Sequence, residues 1–234
     1  MVLNKPAGIV VHKAQSVKEA TLVDWLIKKG VSLSTISGEE RHGIVHRLDK
    51  VTSGLIVVAK TNQAHINLSK QLENKTMGRY YLAFITPPLK DNLTIEKKLA
   101  RDPNNRLKIS VQNYGKDAKT SFAIIENSIE NNYQLIAAKL YTGRTHQIRV
   151  HLSSLSRHII GDTLYGFKGK FDKINRIYLH AFSLYLKDPI TDKPLEFSVE
   201  MPEDMQQFYK KYFKGSAIEN INKESIINKF NFTI

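Results

Sequence analysis

A succession of short apolar segments constrains the fold of this chain more than any other feature. Most segments have the length of a β-strand, and Asn, Gly and Asp residues separate them at hairpin-like intervals. They read "GLIVVAK", "GRYYLAFI", "LTIEKKL", "LKISVQ", "AKTSFAIIEN", "NYQLIAAKLYT", "IYLHAFSLYL" and "LEFSVEM". Because strands that follow one another directly leave little room for crossover helices, a parallel sheet is disfavoured. The sequence therefore predicts an α+β fold with a large, mainly antiparallel sheet and flanking helices.

Helical patterns occupy four segments. In "SVKEATLVDWLIKKG", Ser16 and Glu19 have the spacing of a capping box, and Gly30 is typical of the residue that ends a helix. The lone Trp25 is expected to pack. The apolar face of this helix is predicted to comprise Leu22, Val23, Leu26 and Ile27. Further helices are predicted in "TNQAHINLSKQLENK", "HQIRVHLSSL" and "PEDMQQFYKKYF".

The composition bounds the class of protein. At 234 residues with 41% hydrophobic content, the chain can form one large domain or two small ones. No apolar run is long enough to span a membrane, and the absence of Cys excludes disulfides and thiolate metal sites. The net charge of +13 favours a polyphosphate partner such as RNA or DNA. We expect a cytoplasmic monomer with no membrane association.

Three polar clusters lie at the ends of apolar segments, where functional residues are usually placed. A single cluster of this kind is more often a solvated loop or a helix cap than a site. The clusters become candidates for a functional site only if one chemistry can use residues from all three. They are Arg47, Asp49 and Lys50 in "HRLDK", "RYY" from Arg79 to Tyr81, and "GRTHQIRVH" from Gly143 to His151.

A metal centre is the first candidate chemistry. Its ligands would be His42, His46, His146, His151 and Asp49. His146 and His151 are five residues apart, whereas two ligands on one helix face need a spacing of about four. Asp49 also lies between cationic residues, which repel a metal ion. We therefore predict no metal site.

An ionised carboxylate that acts without metal is the second candidate chemistry. The cations Arg47 and Lys50 favour the charged form of Asp49. A charged carboxylate can act as a covalent nucleophile on a sugar or base carbon. Arginine residues nearby would bind phosphates, and a tyrosine could stack on a base. The residues themselves thus indicate an enzyme directed at RNA or DNA.

Taken together, these segments resemble the RluA-type family of pseudouridine synthases. "HRLDKVTSGLIVVAK" resembles the family's signature around its catalytic aspartate, "RYYLAF" resembles its second motif, and "TGRTHQIRVHL" with "HIIGDTLYG" resembles its third. "NKPAGIVVH", "YLHAFSLYL" and "RDPNNRLKISVQNYGKDAKT" follow other family segments. The resemblance extends from about Asn4 to Pro202. It implies the fold of that family, a curved mixed sheet with a central catalytic cleft.

The resemblance also implies roles for individual residues. Asp49 matches the catalytic aspartate, and Arg149 matches the arginine that pairs with it. Tyr81 matches the active-site tyrosine, although Tyr80 beside it could be confused with it. Substrate-binding roles are expected for Arg47, Lys50, Thr52, Arg144 and His146.

The implied reaction is the isomerisation of uridine to pseudouridine in RNA, with no cofactor and no metal. The target base must be flipped out of its helix or loop. Asp49 then attacks either C6 of the uracil or C1′ of the ribose, and the sequence leaves both routes open. Large-subunit ribosomal RNA is the expected substrate, and tRNA is the second possibility. The alternative from another class is a non-catalytic RNA-binding or ribosome-assembly factor on the same fold.

The domain organisation follows from the extent of the resemblance. Residues 1–213 are predicted to form the catalytic domain, and residues 214–234 a polar tail. Many relatives carry a small RNA-binding domain of the S4 type before the catalytic domain. Since this sequence begins within the first catalytic strand, that domain is predicted to be absent or removed. The insertion at residues 88–92, in "ITPPLKDN", has no assigned role.

Overall fold

The computed structural model describes residues 1–14, 17–169, 174–214 and 221–231. The strands are β1 (Val2–Lys5), β2 (Ser53–Val57), β3 (Gly78–Thr86), β4 (Leu93–Arg101), β5 (Ile109–Val111), β6 (Lys116–Asn127), β7 (Gln134–Leu140), β8 (His158–Ile159), β9 (Leu179–Lys187) and β10 (Pro194–Ser198). The helices are α1 (Leu22–Lys28), α2 (Asn62–Glu73), α3 (Gln147–Ser153), α4 (Glu203–Tyr212) and α5 (Lys223–Asn228). Strand pairs such as β1 with β2 and β6 with β7 run antiparallel. The predicted α+β class with a mainly antiparallel arrangement is confirmed.

The chain divides into two compact units. The first comprises Met1–Arg79 and Ala181–Val199, and the second comprises Tyr80–His180 and Glu200–Ile234. None of the described helices is both long enough and apolar enough to cross a membrane.

The first unit has a sheet with the strand order β1-β2-β9, and β10 pairs antiparallel with β9. All five residues of β2 are buried, as its continuous apolar run predicts. Helix α2 packs its apolar side against this sheet. The shared core contains Leu55, Val57, Ala59, Ala64, Leu68, Met77, Leu184 and Leu186.

Helix α1 begins later than the sequence predicts. Thr21 is its N-cap, and Asp24 accepts the Thr21 N–H at 2.9 Å to complete a capping box. The predicted box at Ser16 and Glu19 is therefore wrong: Glu19 lies outside the helix, and Ser16 lies outside the described residues. Gly30 follows the last turn with φ +71°, which agrees with its predicted role as a helix stop.

Trp25 is exposed, contrary to the prediction that it packs. The helix has only seven residues, and its buried face is formed by Leu22, Val23 and Leu26. Trp25 and Ile27 fall to either side of that face and are each about half exposed. The Lys29 ammonium lies 5.9 Å from the Trp25 ring and covers part of it.

The second unit has a sheet with the strand order β3-β7-β6-β4-β5, and β8 pairs with β3. Side chains alternate between the two faces of each strand. Tyr80 and Phe84 of β3 share one face, where Tyr80 contacts Phe230 with ring centroids 5.5 Å apart. Phe84 contacts Phe208 of α4 at 5.0 Å. Residues that follow β9 in sequence therefore cover this face, and Tyr81 projects from the opposite one.

Helix α3 packs on the face from which Tyr81 projects. Lys139 of β7 lies on the other face, since its ammonium is 5.9 Å from the Tyr80 ring. Thr120 of β6 pairs with Leu140, the residue after Lys139. The Thr120 side chain therefore projects from the face opposite to that of Lys139. There the Thr120 hydroxyl accepts a hydrogen bond of 2.8 Å from Gln147, the first residue of α3. Tyr81 and the helix that carries Arg149 thus share one face of the second unit.

Part of the predicted polar tail packs onto the second unit. Within residues 221–231, Ile226 and Phe230 are buried. Asn222 caps α5 through its side chain, which accepts the Ser225 N–H at 2.8 Å. The boundary between residues 213 and 214 stays a prediction.

Candidate active site

In the first unit, Asp49 lies in a loop that is fixed by its own main chain. The Asp49 carbonyl accepts the Thr52 N–H at 3.0 Å, which closes a tight turn directly before β2. Asp49 is half-buried, whereas Arg47 and Lys50 on either side of it are exposed. The turn therefore presents one carboxylate between two cations at the surface of the unit.

The buried Lys5 ammonium joins this loop to the N-terminal segment, a contact that the sequence did not predict. Lys5 is only 1% exposed, and its Nζ donates to the carbonyls of Pro6 at 2.8 Å and Ile9 at 3.0 Å. It also reaches the Lys50 carbonyl at 3.4 Å, and the Gly8 N–H donates to that carbonyl at 2.7 Å. A buried lysine is rare unless its donors are satisfied. Two segments thus converge on the residue after Asp49.

His46 anchors the other end of the loop. Its Nε2 accepts the Val57 N–H of β2 at 3.0 Å, so the ring is neutral with its proton on Nδ1. Burial, together with the nearby Arg79 guanidinium, lowers the pKa of His46 to about 3. The ring can therefore keep accepting this hydrogen bond at any physiological pH.

The predicted substrate-binding residues of this unit differ in exposure. Arg47 is exposed. Lys50 is exposed and binds both oxygens of the Glu19 carboxylate at 2.8 Å. Thr52 is 2% exposed, so its side chain lies within the fold of this unit.

In the second unit, Arg149 is held by Asp162, an aspartate of "GDTLYG" for which the sequence predicted no role. Its Nε donates to Oδ2 of Asp162 at 2.7 Å, and its Nη2 donates to Oδ1 at 2.9 Å. The Arg149 guanidinium also lies 4.8 Å from the centre of the Tyr165 ring. Both members of the ion pair are buried.

The loop before α3 is organised around Gln147. The Gln147 side-chain oxygen accepts from the Thr142 hydroxyl at 2.7 Å and from the Arg144 N–H at 2.9 Å. Its amide nitrogen donates to the Lys119 carbonyl at 3.0 Å. Gln147 therefore has a structural role, and it holds the predicted substrate-binding residue Arg144 at the surface.

His146 precedes α3 in the left-handed region, with φ 55°. Its Nδ1 is 2.8 Å from the Tyr165 hydroxyl, which also accepts the Ile109 N–H at 2.9 Å. His146 and Arg149 thus contact the same tyrosine. Of the predicted residues, the structure groups Asp49, Arg47, Lys50 and Thr52 in the first unit, and Tyr81, Arg144, His146 and Arg149 in the second.

These contacts do not favour a metal centre. His46 accepts a main-chain N–H, His146 bonds to Tyr165, and Nδ1 of His151 is 3.0 Å from the Thr120 hydroxyl. Over residues 1–14, 17–169, 174–214 and 221–231, no three His, Asp or Glu side chains are grouped as a metal site requires.

Acid is expected to destabilise the protein through its buried histidines. Burial, with a smaller contribution from Lys97, lowers the pKa of His151 from 6.5 to about 4. The unfolded chain therefore binds more protons than the folded one between these pH values, and stability falls as the pH falls through this window. The loss from His151 alone should be about 2 kcal/mol at pH 5.

Urea unfolding at pH 7 and pH 5 measures this effect. His151→Asn keeps a polar atom near Thr120 but does not titrate, so it should lose about 2 kcal/mol less than the wild type between the two pH values. His12 and His46, whose pKa values burial also lowers, are present in both proteins and cancel. An unchanged pH dependence in the variant would contradict the assignment.

Comparison with known proteins identifies the class to which these features belong. The sequence model of the RNA pseudouridylate synthase family matches residues 1–154. The chain is 49% identical over 237 residues to an uncharacterized RNA pseudouridine synthase of Helicobacter pylori, covering 98% of this chain and 72% of that protein. It is 41% identical over 222 residues to the ribosomal large subunit pseudouridine synthase D of Zymomonas mobilis, covering 90% and 69%.

A solved structure agrees on the fold. Human RNA Pseudouridylate Synthase Domain Containing 1 superposes with a TM-score of 0.67 at 24% identity, covering 85% of this chain and 78% of that one. The protein is therefore an isomerase that acts on RNA. The chain belongs to the RNA pseudouridylate synthase family, as its motifs predict.

Proposed function

We propose that this protein converts uridine to pseudouridine in large-subunit ribosomal RNA, with Asp49 as the nucleophile. The observation that carries the proposal is the way in which the loop holds Asp49. Hydrogen bonds from Lys5 and Gly8 fix the adjacent carbonyl, while Asp49 itself remains half-buried beside the exposed Arg47. A fixed main chain places a reacting group without ordering it anew in each turnover.

The reaction balances with no cofactor. The Asp49 carboxylate forms a bond to C1′ of the ribose or to C6 of the uracil. On the C1′ route, attack by Asp49 breaks the bond from C1′ to N1, the uracil turns over, and C5 displaces the carboxylate from C1′. On the C6 route, the bond from C1′ to N1 breaks after the addition, the uracil turns over, C1′ bonds to C5, and the bond from Asp49 to C6 breaks as the C5 proton leaves. Both routes end with the C5 proton lost and N1 protonated. Release of the C5 hydrogen to solvent therefore reports one completed isomerisation.

The second unit supplies the supporting groups in this proposal. Arg149 takes the role of the family arginine that it matches, which supports the catalytic aspartate. Tyr81 packs on the uracil and assists removal of the C5 proton. Its position on the same face as α3 supports this role, because Arg149 lies on that helix. Tyr80 has a structural role on the opposite face, against Phe230.

The choice of RNA rests on two supports. The relative from Zymomonas mobilis is a ribosomal large subunit pseudouridine synthase, and 41% identity makes a similar substrate class reasonable. The net charge of +13 suits a large polyanion. Transfer RNA is the second candidate.

The test uses RNA from a strain that lacks the gene. Protein-free large-subunit ribosomal RNA and total tRNA are each incubated with the purified protein in excess EDTA, and pseudouridines are mapped chemically. New pseudouridine in the ribosomal RNA supports the proposal. Modification of tRNA alone would move the substrate to tRNA, and no modification of either would favour a non-catalytic RNA-binding factor.

Arg47 and Arg149 are expected to differ in what they control. Arg149→Ala should lower the single-turnover rate at saturating RNA, because a buried arginine that supports the nucleophile acts in the chemical step. Arg47→Ala should mainly weaken RNA binding or base flipping, because Arg47 is exposed beside the nucleophile. Binding titrations and single-turnover rates separate these effects. Equal changes of both parameters in both variants would contradict the division.

A further inference from the structure

Asp162 forms a buried ion pair with Arg149 through two hydrogen bonds, and the proposed reaction gives Asp162 no role. We propose that Asp162 is a positioning residue, which fixes the plane and the charge of the Arg149 guanidinium so that Arg149 can act in the chemical step. This inference rests on the proposed function of Arg149.

The first support is the geometry of the ion pair. Two parallel hydrogen bonds of 2.7 and 2.9 Å join the two side chains, and such a fork fixes the guanidinium in one plane. Asp162 is 1% exposed and Arg149 is 5% exposed, so water does not compete for either group.

The second support is that the guanidinium is held on its face as well as on its edge. The Tyr165 ring lies 4.8 Å from the Arg149 guanidinium carbon. The Tyr165 N–H donates to Oδ1 of Asp162 at 3.3 Å, so the short turn at Thr163–Tyr165 sets the ring and the carboxylate together. The Ile109 N–H fixes the far end of the ring through its hydroxyl. The turn that carries Asp162 and Tyr165 therefore holds the Arg149 guanidinium along its edge and against its face.

The third support is that a buried ion pair of this kind contributes little to the stability of the folded protein. Desolvation of two charges largely offsets their attraction, so a buried ion pair is weak evidence for a stabilising role. The same unit contains a pair that shows the contrast. Arg176 donates to Asp204 at 2.6 and 2.7 Å in the same fork, but the Asp204 side chain is 41% exposed and the pair joins the segment before β9 to the start of α4. Neither Arg176 nor Asp204 belongs to one of the predicted catalytic motifs, and the pair provides a matched control.

The experiment is a double-mutant cycle. The single-turnover rate at saturating RNA, the Kd for RNA and the thermal unfolding temperature are measured for the wild type, Asp162→Asn, Arg149→Gln and the double variant. Asp204→Asn is the control. Asp162→Asn should lower the rate by about 10- to 100-fold, the range for hydrogen bonds to a charged group. Its Kd should stay close to that of the wild type.

The cycle separates positioning from a general structural role. If Asp162 acts through Arg149, the double variant should be no slower than Arg149→Gln alone. Rates that multiply would overturn the inference, as would an Asp162→Asn rate equal to that of Asp204→Asn. If Arg149→Gln keeps the full single-turnover rate, the proposed role of Arg149 also fails. If Arg149→Gln is slow but Asp162→Asn keeps the wild-type rate, only the inference about Asp162 fails.

A second variant covers the case in which Asp162→Asn does not fold. Tyr165→Leu leaves the ion pair in place and removes the ring from the face of Arg149. It should lower the single-turnover rate in the wild-type background and leave it unchanged in the Arg149→Gln background. Tyr165→Phe keeps the ring over Arg149 but loses the hydroxyl contacts, so it should be faster than Tyr165→Leu. If Tyr165→Leu is as fast as Tyr165→Phe, the inference that this turn positions Arg149 is wrong.

Discussion

Asp49→Asn is expected to abolish pseudouridine formation while leaving RNA binding nearly unchanged. Asparagine has the shape of aspartate but is uncharged, and it cannot form and release an ester-like bond to the substrate. Loss of a nucleophile lowers the rate by about 10⁴-fold or more in other covalent enzymes. The loop should keep its conformation, because the Thr52 N–H and the Lys50 contacts use main-chain atoms.

Release of tritium from RNA that carries 5-tritiated uridine measures this loss, and a filter-binding titration gives the Kd. Asp192→Asn is the matched control, because Asp192 is an exposed aspartate in a turn of the same unit and pairs only with Lys187 among the described residues. It should keep full activity. Mass spectrometry must show that the Asn variant has not reverted to Asp by deamidation. Substantial turnover by an intact Asn variant would remove Asp49 from the nucleophile role.

The sequence predicted the strands better than the helices, for a physical reason. Strands such as β3 and β7 are buried on both faces, so their residues form continuous apolar runs that local pattern shows directly. Helix α1 is short, and its start is decided by Thr21 and Asp24 rather than by the earlier Ser16. Which side of so short a helix is buried depends on the sheet beneath it. Trp25 therefore lay beyond what the sequence could decide.

Two further elements carried too little local signal to be predicted. Strand β8 has only two residues, and it exists because it pairs with the end of β3. Helix α5 lies in a segment of mostly polar residues, where Ile226 and Phe230 supply its buried contacts. Phe230 docks on Tyr80, 150 residues earlier, and a contact between such distant residues leaves no periodicity to detect.

Some residues of the candidate site could be predicted from the sequence, and others could not. Asp49, Tyr81 and Arg149 stand in motifs that resemble a known family, so the sequence could nominate them. The residues that hold them were not assigned, because their partners are remote: Lys5 reaches a carbonyl 45 positions away. Asp162 is 13 positions from Arg149, and nothing in "GDTLYG" alone indicates which cation it binds.

Gly54→Ala is expected to destabilise the first unit strongly, because the added methyl group meets main-chain atoms. Gly54 follows the Asp49 turn at the start of β2, and its φ of +111° is a conformation that residues with a Cβ rarely adopt. The added Cβ would lie 2.3 Å from the Ala181 carbonyl oxygen and 2.6 Å from the Ala181 nitrogen. Both are main-chain atoms of β9, so no side-chain rotation can relieve the contact, and β2 would have to move away from β9.

Gly30→Ala separates this crowding from backbone strain. Gly30 also has a positive φ, +71°, but a Cβ there would meet no atom within 4 Å. Urea unfolding should therefore show a loss of about 1 to 2 kcal/mol for Gly30→Ala, the strain of a left-handed residue. The loss for Gly54→Ala should be about 4 kcal/mol or more, or the protein should fail to fold. Because β2 continues directly from the Asp49 turn, any Gly54→Ala protein that does fold should also isomerise RNA more slowly, whereas Gly30→Ala should not. Equal losses of stability in the two variants would show that β2 can shift away from Ala181 without strain.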